Sequence, residues 1–539
     1  MTAQATLALA LAAPWLGLLL LAPPAMRRWA GWLASAAAAP ALAVALLLPP
    51  DVELNLGLPL WGGVFGVDAA GRLFLFAAAL IWGLCGAYAG GSIIGQRERA
   101  RFFSFWFVAL GGTAALIMAR DLMSFYAGYA ALTVAAYGLI IHDGRSRSRR
   151  AGRLYLAFMM IGEVALLAAV ALTAVGRTAP VPFDVSAAAH PGAAASLFLV
   201  GFAIKLGVFG GHGWLPRAHP VAPVPASAVL SGAVVKAGAL GCLRVLEGGV
   251  EGGTAAPGVI ALGLAGAAYG VVMGLSSANL KVVLAWSTVS QMGLLTVLLG
   301  AGLAEPSALP LVGAAIALFA VHHGMAKASL FLGAGLVDQV AGRVRTAAFA
   351  ALFAPALALM GAPLTTGWLA KSALDAAVAD TPYAPWLGVA LDGATVLTVV
   401  LMIWFLTLAR RAPEAGGEPR GWSELAAFAL SIAAVISLSY LQVGSGSLAV
   451  PGAEPKPLGH ALWPLAAGAA LFSLARALWG RVGAADKADR AKPPPGRPSR
   501  GRRRMRAWVL RAERRLHAWP VIGYLVFGAL AALAALLWP

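Results

Sequence analysis

Ionisable side chains recur inside runs that are otherwise apolar. Glu163 lies in MMIGEVALLAAV, Lys205 in FAIKLGVFG and Lys236 in SGAVVKAGALGCLR. His322, His323 and Lys327 lie in VHHGMAKASLFLGAG, Lys371 and Asp375 in GWLAKSALDAA, and Asp392 in GVALDGATVL. In a bilayer each such residue costs roughly 3 kcal/mol to insert, and it faces a bundle interior or a wet cavity. Their common chemistry is proton transfer. Burial disfavours the charged form of an amine, so an intramembrane lysine can hold and release a proton. Histidine titrates close to neutrality without such help. Simpler readings stay open for several of them. A lysine near a helix end, such as Lys281, can snorkel to the interface. Lys371 and Asp375 are one turn apart and can form an internal ion pair. Of His322 and His323, one is expected on the path and the other packed or hydrogen-bonded.

The elements that must position these groups follow from composition. The chain has 539 residues, 60% hydrophobic and 12% charged, with a mean hydropathy of +0.81. Soluble domains carry about 25% charge. Apolar runs of about 20 residues recur from end to end, each long enough to cross a hydrocarbon core. In lipid the backbone must satisfy itself within the segment, so these runs are expected to be helices, and the alternation of a β-barrel is absent. The fold class is an all-α polytopic membrane protein of about 16 spans. Their expected positions are 3–22, 29–48, 70–92, 102–119, 122–141, 154–175, 194–211, 223–245, 256–276, 281–301, 308–337, 346–377, 386–409, 422–441, 459–479 and 519–538.

Arginines group in alternate turns: Arg27 and Arg28, Arg97 to Arg101, Arg145 to Arg153, Arg343 and Arg345, Arg410 to Arg420, and a long basic segment from 481. By the positive-inside rule these turns are cytoplasmic, and both termini face out. The net charge of +18 is thus read as loop charge on one side of a bacterial inner membrane rather than as a nucleic-acid surface. The first apolar run lacks a basic leader and is read as a retained helix. The Pro- and Arg-rich stretch after 480 reads as a flexible linker in reach of anionic lipid. Cys85 and Cys242 are far apart, with no CxxC, and no nucleotide-binding glycine motif occurs. A cofactor is therefore not expected, and any redox chemistry belongs to a partner.

Glycine and proline break two of the charged spans. Gly207, Gly210, Gly211 and Pro216 follow Lys205, and Gly361, Pro363 and Gly367 precede Lys371. Broken helices carrying charge mark transporters built from inverted repeats. The two breaks are five spans apart, so spans 4–8 and 9–13 are expected to be inverted five-helix copies. The expected divisions are a three-helix segment at 1–101, a first repeat at 102–245, a second at 256–409, further helices at 410–480, the linker at 481–518 and a last helix at 519–539.

Four ordered motifs carry a resemblance. HGWLPRAHPVAPVPASAVLSGAVVKAGALGCLR (212–244), NLKVVLAWSTVSQMG (279–293), HHGMAKASLFLGAG (322–335) and PLTTGWLAKSAL (363–374) resemble signatures of the antiporter-like membrane subunits of respiratory complex I, Mrp cation/proton antiporters and membrane-bound hydrogenases. The resemblance spans roughly residues 70–440. It implies a proton path through Lys205, Lys236, His322 or His323 with Lys327, and Lys371. It makes GWLPRAHP a cytoplasmic turn, with Pro223 and Pro225 opening the next helix, where a missing N–H costs little. It also implies partner membrane subunits, with protons as cargo and Na⁺ or K⁺ as the alternative. One position departs. In FYAGYAALTVAAYGLI (125–140) Tyr129 stands where the family has Trp, and Ala130 where it has the glutamate that partners the seventh-span lysine. Glu163 is the nearby candidate to replace that partner, the alternative being an unrelated polar contact. A subunit with neither carboxylate in use would be a structural member that has lost pumping.

Overall fold

The computed structural model describes residues 2–490 apart from short stretches at 50–51, 59–61, 96–97, 179, 251–252, 413–418, 420 and 445–456. Each of the first fifteen expected spans holds helix, and the range 519–538 lies outside the described residues. The N-terminal part comprises α1 (Ala3–Leu20), α2 (Ala30–Leu47) and α3 (Ala69–Ser92). Between α2 and α3 the chain forms a hairpin that the all-helical reading did not foresee, β1 (Glu53–Leu58) against β2 (Gly62–Gly66). Leu54, Leu56 and Leu58 alternate in β1, the two-residue period of a strand. A run that short was hidden between two long apolar segments.

Next come α4 (Arg99–Met118), α5 (Leu122–Ile140), α6 (Ser146–Ala174) and α7 (Pro191–Leu206). After α7 the chain breaks, then forms the four-residue α8 (Leu215–Ala218). Trp214, Leu215 and His219 are fully buried, so the link between α7 and α9 is a short packed helix followed by a turn. Pro223 caps α9 (Val224–Val229), with Pro225 in its first turn. A π-helical turn, Leu230–Val234, leads into α10 (Val235–Glu247). α11 (Ala256–Leu275), α12 (Leu280–Ala304) and α13 (Leu309–Gln339) follow. The span expected at 346–377 is three pieces, α14 (Gly342–Ala351), α15 (Phe353–Met360) and α16 (Thr366–Ala379). α17 (Ala384–Arg411), α18 (Trp422–Gly444) and α19 (Leu458–Arg490) complete the described chain. α19 continues ten residues into the segment expected as linker; the rest of that segment is outside the described residues.

Fourteen described helices are long and apolar enough to cross a membrane, and Pro191–Leu206 is a shorter apolar one. Helix starts are locally encoded. Asp68 accepts from Gly71 N–H at 2.7 Å, Asp121 from Ser124 N–H at 2.8 Å, and Asn279 from Val282 N–H at 3.1 Å. α10, α12 and the middle of α13 are buried almost throughout, whereas α1 and α19 show exposed apolar faces. The charged spans are thus the central ones, and the mostly uncharged ones wrap them.

The Arg244 guanidinium, at the end of α10, clamps the start of α3. It donates to both Asp68 oxygens, Nη2 to Oδ1 at 2.9 Å, and Arg120 Nη1 reaches Asp68 Oδ2 at 2.7 Å. Burial raises the Asp68 pKa, but the hydrogen bonds and charge of Arg244 override it and hold the carboxyl at about 2.

Candidate functional site

Lys205 sits two residues before the α7 break and is 1% exposed. α6 and α7 come close because both present glycine: a Cβ on Gly162 would lie 3.2 Å from the Gly201 carbonyl. That crossing brings Glu163 beside Lys205, with Glu163 Oε1 3.8 Å from Lys205 Nζ. A neighbouring helix, α5, supplies the rest. Lys205 Nζ lies 3.3 Å from the centroid of the Tyr129 ring and donates to the Tyr129 carbonyl at 3.3 Å and to Thr133 Oγ1. An ammonium over an aromatic face is an electrostatic attraction that strengthens out of water. The Thr133 hydroxyl in turn hydrogen-bonds Glu163 Oε1. Ala130, the family's glutamate position, is a half-buried methyl on the same helix.

α7 then packs on α10 where Gly238 has no room for a side chain; its Cβ would meet the Leu206 amide nitrogen and the Phe202 carbonyl oxygen at 2.6 Å. Two residues earlier is Lys236, whose Nζ lies 2.6 Å from the Ser231 carbonyl oxygen and 2.6 Å from His323 Nδ1. The π-helical turn carries Ser231, and its hydroxyl is 2.7 Å from Thr288 Oγ1 on α12. A π turn inserts a residue and is often found at functional sites. The contact of this turn with α13 is again glycine on glycine: a Cβ on Gly324 would lie 2.7 Å from the Gly232 carbonyl.

The adjacent histidines both form side-chain hydrogen bonds, to different helices. His323 meets Lys236, and His322 Nδ1 lies 2.9 Å from Thr366 Oγ1 at the start of α16. Successive residues on a helix are about 100° apart, so α13 faces two neighbours at once. The hydrogen-bonded alternative thus applies to both histidines, each on its own neighbour. Lys327 turns away and donates to the Leu284 carbonyl at 2.9 Å. Lys281 donates to the Ala222 carbonyl, tying α12 to the turn before α9.

Lys371 is half-buried on α16 and donates to the Met360 carbonyl at 3.0 Å, reaching back across the break. The break holds Leu364 at φ 64°, the one non-glycine residue with positive φ among those described. A cavity of about 30 Å³ is lined by Lys371, Asp375, Asp392, Thr395 and His460 among apolar residues such as Leu294 and Leu391, and is large enough for ordered water held by those polar groups. His460, Thr133 and Thr366 were not singled out from sequence. A lone histidine in an apolar run could have drawn notice; threonines in transmembrane runs carry no such signal.

The sequence from residue 119 to 398 matches the family model described as NADH:quinone oxidoreductase/Mrp antiporter, transmembrane region. Hydrogenase-4 component B of Escherichia coli is 30% identical over 293 residues, 50% of this chain and 43% of that protein. NADH-quinone oxidoreductase subunit N of Desulforudis audaxviator is 30% identical over 58% of this chain and 66% of its own length. A Na(+)/H(+) antiporter subunit of Alkalihalophilus pseudofirmus is 26% identical over 59% of this chain and 68% of its own length. The match spans about half the length of the first curated relatives, 43% and 52%. Among solved structures, the Mrp complex of Dietzia superposes with a TM-score of 0.72 at 22% identity, over 99% of this chain and 62% of that one. Respiratory complex I of Thermus thermophilus gives 0.70 at 20% identity, over 85% of this chain and 99% of that one. The buried lysines and histidines therefore lie in a shared fold, and the chain belongs to the family of antiporter-like membrane subunits found in NADH:quinone oxidoreductases, Mrp antiporters and hydrogenases.

Proposed function

We propose that this chain moves protons across the membrane as one subunit of a larger assembly of the complex I, hydrogenase or Mrp kind. The relay runs through Glu163, Lys205, Lys236, His323, His322 and Lys371, with Lys327 and Asp375 alongside. The observation that carries the reading is the buried ion pair of Lys205 and Glu163 at 3.8 Å, with side-chain exposures of 1% and 8%. A buried pair gains little stability over apolar packing, so its presence favours a working role. Glu163 on α6 does the work that the family assigns to a glutamate at position 130. Redox centres, where the assembly has them, belong to partner chains. The cargo is the proton; exchange of Na⁺ or K⁺ is the second reading, favoured by the likeness to the Na(+)/H(+) antiporter protein of Alkalihalophilus.

The two broken helices support the inverted repeat of spans 4–8 and 9–13. The inner-membrane orientation, basic turns inward, is supported by how those turns cluster. Arg99 donates to the Arg28 carbonyl, Arg101 to the His142 carbonyl, and Arg345 to the Ala412 carbonyl. Proton uptake into inverted vesicles holding the whole native assembly tests the reading. Glu163→Gln is expected to remove most coupled uptake while the complex stays assembled. Wild-type uptake in both Glu163→Gln and Lys205→Ala would return the chain to a structural role. Repeating the assay under Na⁺ and K⁺ gradients separates pumping from exchange.

A further inference from the structure

The Lys205 ammonium and the Glu163 carboxylate are too far apart to share a proton. Their closest approach is 3.8 Å, whereas a charge-assisted N–H···O bond spans about 2.7–2.9 Å. Between them stands one hydroxyl. Thr133 Oγ1 accepts from Lys205 Nζ and donates to Glu163 Oε1. It also has a second acceptor in reach, its own helix's Tyr129 carbonyl at 3.0 Å. A hydroxyl has one proton to give and two lone pairs to receive with. Pointed at Tyr129 it leaves Glu163 disconnected from Lys205; pointed at Glu163 it completes a bridge. Thr133 is wholly buried, and its backbone carbonyl is fixed by Tyr155 Oη at 3.1 Å. Glu163 Oε2 is buried with no hydrogen-bond partner among the described residues, so the side-chain contact of this carboxyl runs through Oε1 and Thr133.

We propose that the Thr133 hydroxyl is a relay residue, carrying the proton between Lys205 and Glu163. The inference rests on the reading of that pair as working groups and adds a third member to it. In the step, the Lys205 N–H bond breaks as its proton bonds to Thr133 Oγ1, and the Thr133 O–H bond breaks as that proton bonds to Glu163 Oε1. An ammonium and a carboxylate become an amine and a carboxylic acid, the hydroxyl is restored, and no other reactant is consumed. Rotation of the hydroxyl back to the Tyr129 carbonyl opens the connection again. The Tyr129 ring face, one turn away, stabilises the ammonium side of the exchange and so sets which way the proton rests.

The test is coupled proton uptake in inverted vesicles of the whole assembly, comparing Thr133→Val, Thr133→Ser and Glu163→Gln, with assembly checked on native gels. Valine fills the threonine's volume and leaves no room for a replacement water. Thr133→Val is expected to lose uptake by roughly 10²-fold, the low end for loss of a positioned proton-transfer group, while Thr133→Ser stays near wild type. Wild-type uptake in Thr133→Val, with Glu163→Gln dead, overturns the proposal and leaves the Lys205–Glu163 reading standing. Wild-type uptake in all variants overturns both. Loss in both threonine variants of an assembled complex assigns Thr133 to packing and also overturns it. Should Thr133→Val fail to assemble, Thr133→Ala replaces it, which also removes the hydroxyl, with a loss again expected and wild-type uptake again contradicting the proposal.

Discussion

The two broken helices use one backbone device for two different electrostatic settings. α7 ends on Gly207 at φ 80° and α15 on Gly361 at φ 77°. After each, the next amide bonds to a carbonyl five residues back, Val208 to Ala203 at 3.1 Å and Ala362 to Leu357 at 3.0 Å. This is the closing pattern of a helix that stops on a left-handed residue. The lysine, however, lies on opposite sides of the two breaks. Lys205 precedes its glycine and is sealed among Tyr129, Thr133 and Glu163. Lys371 follows its glycine, is half-buried, and lines a cavity to which Asp375, Asp392 and His460 also contribute. The same fold element thus sets one lysine among sealing side chains and the other beside a cavity with room for water; in the proposed relay the first would exchange its proton with side chains alone.

The sharpest way to break this contrast is to remove each lysine. Lys205→Ala is expected to lower coupled uptake by roughly 10²-fold, the low end for loss of a positioned proton-transfer group, and Lys371→Ala by less, because water in its cavity can still carry protons. Equal losses in initial uptake rates would show that the two settings do not differ in kind. A smaller change sharpens the first setting. Ala130→Glu in a Glu163→Gln background returns a carboxylate to α5, and coupled uptake is expected to recover to within about tenfold of wild type, since an opposite charge close to the ammonium is the quantity restored. No recovery would mean that Lys205 needs its partner on α6, not merely nearby.

The glycines give the next effect. Alanine at either position must adopt a left-handed backbone, which costs about 1–2 kcal/mol. At Gly207 the added Cβ also meets the fully buried Leu215 Cδ1 at 2.4 Å; at Gly361 it meets the flexible Lys371 Cδ at 2.6 Å. Gly207→Ala is therefore expected to lower the Tm of the detergent-solubilised complex more than Gly361→Ala. The smallest effect concerns the clamp on α10. Asp68→Asn should cost about 1 kcal/mol, because the amide oxygen keeps one bond to the largely buried guanidinium and loses the other. Because the folded-state pKa is depressed to about 2, the contribution is present above the unfolded value near 4 and lost as pH falls through 2. The Tm difference between wild type and Asp68→Asn should thus shrink across that window, and a difference unchanged at low pH would contradict the clamp.

Much of this was legible in the sequence, for reasons tied to the bilayer. Apolar length fixes where helices lie, and the expense of a buried charge marks Glu163, Lys205 and Lys236 as worth attention. Glycine clusters located both breaks. What escaped notice has physical causes too. The strands between Glu53 and Gly66 are shorter than any membrane span, and the alternation of Leu54, Leu56 and Leu58 is too brief to stand out between long apolar runs. The partition of His322 and His323 between α10 and α16 depends on helix rotation, which α13, with apolar residues on every side of that pair, does not reveal. Thr133 escaped because a threonine can satisfy its own hydroxyl on the carbonyl four residues back, as Thr113 and Thr173 do here, so its type alone says nothing of a role.

The bare backbone contact of Gly232 with Gly324 has a further consequence. Proton hops weaken steeply as donor and acceptor separate, and most helix pairs in a bilayer are held apart by compressible side chains. Where two main chains touch, no such cushion exists. The Lys236–His323 link beside that contact, and the Lys205–Glu163 pair beside the matching contact of Gly162 with Gly201, should therefore hold their spacing when bilayer thickness or lateral pressure changes, leaving any sensitivity to lipid composition to the surroundings of Lys371.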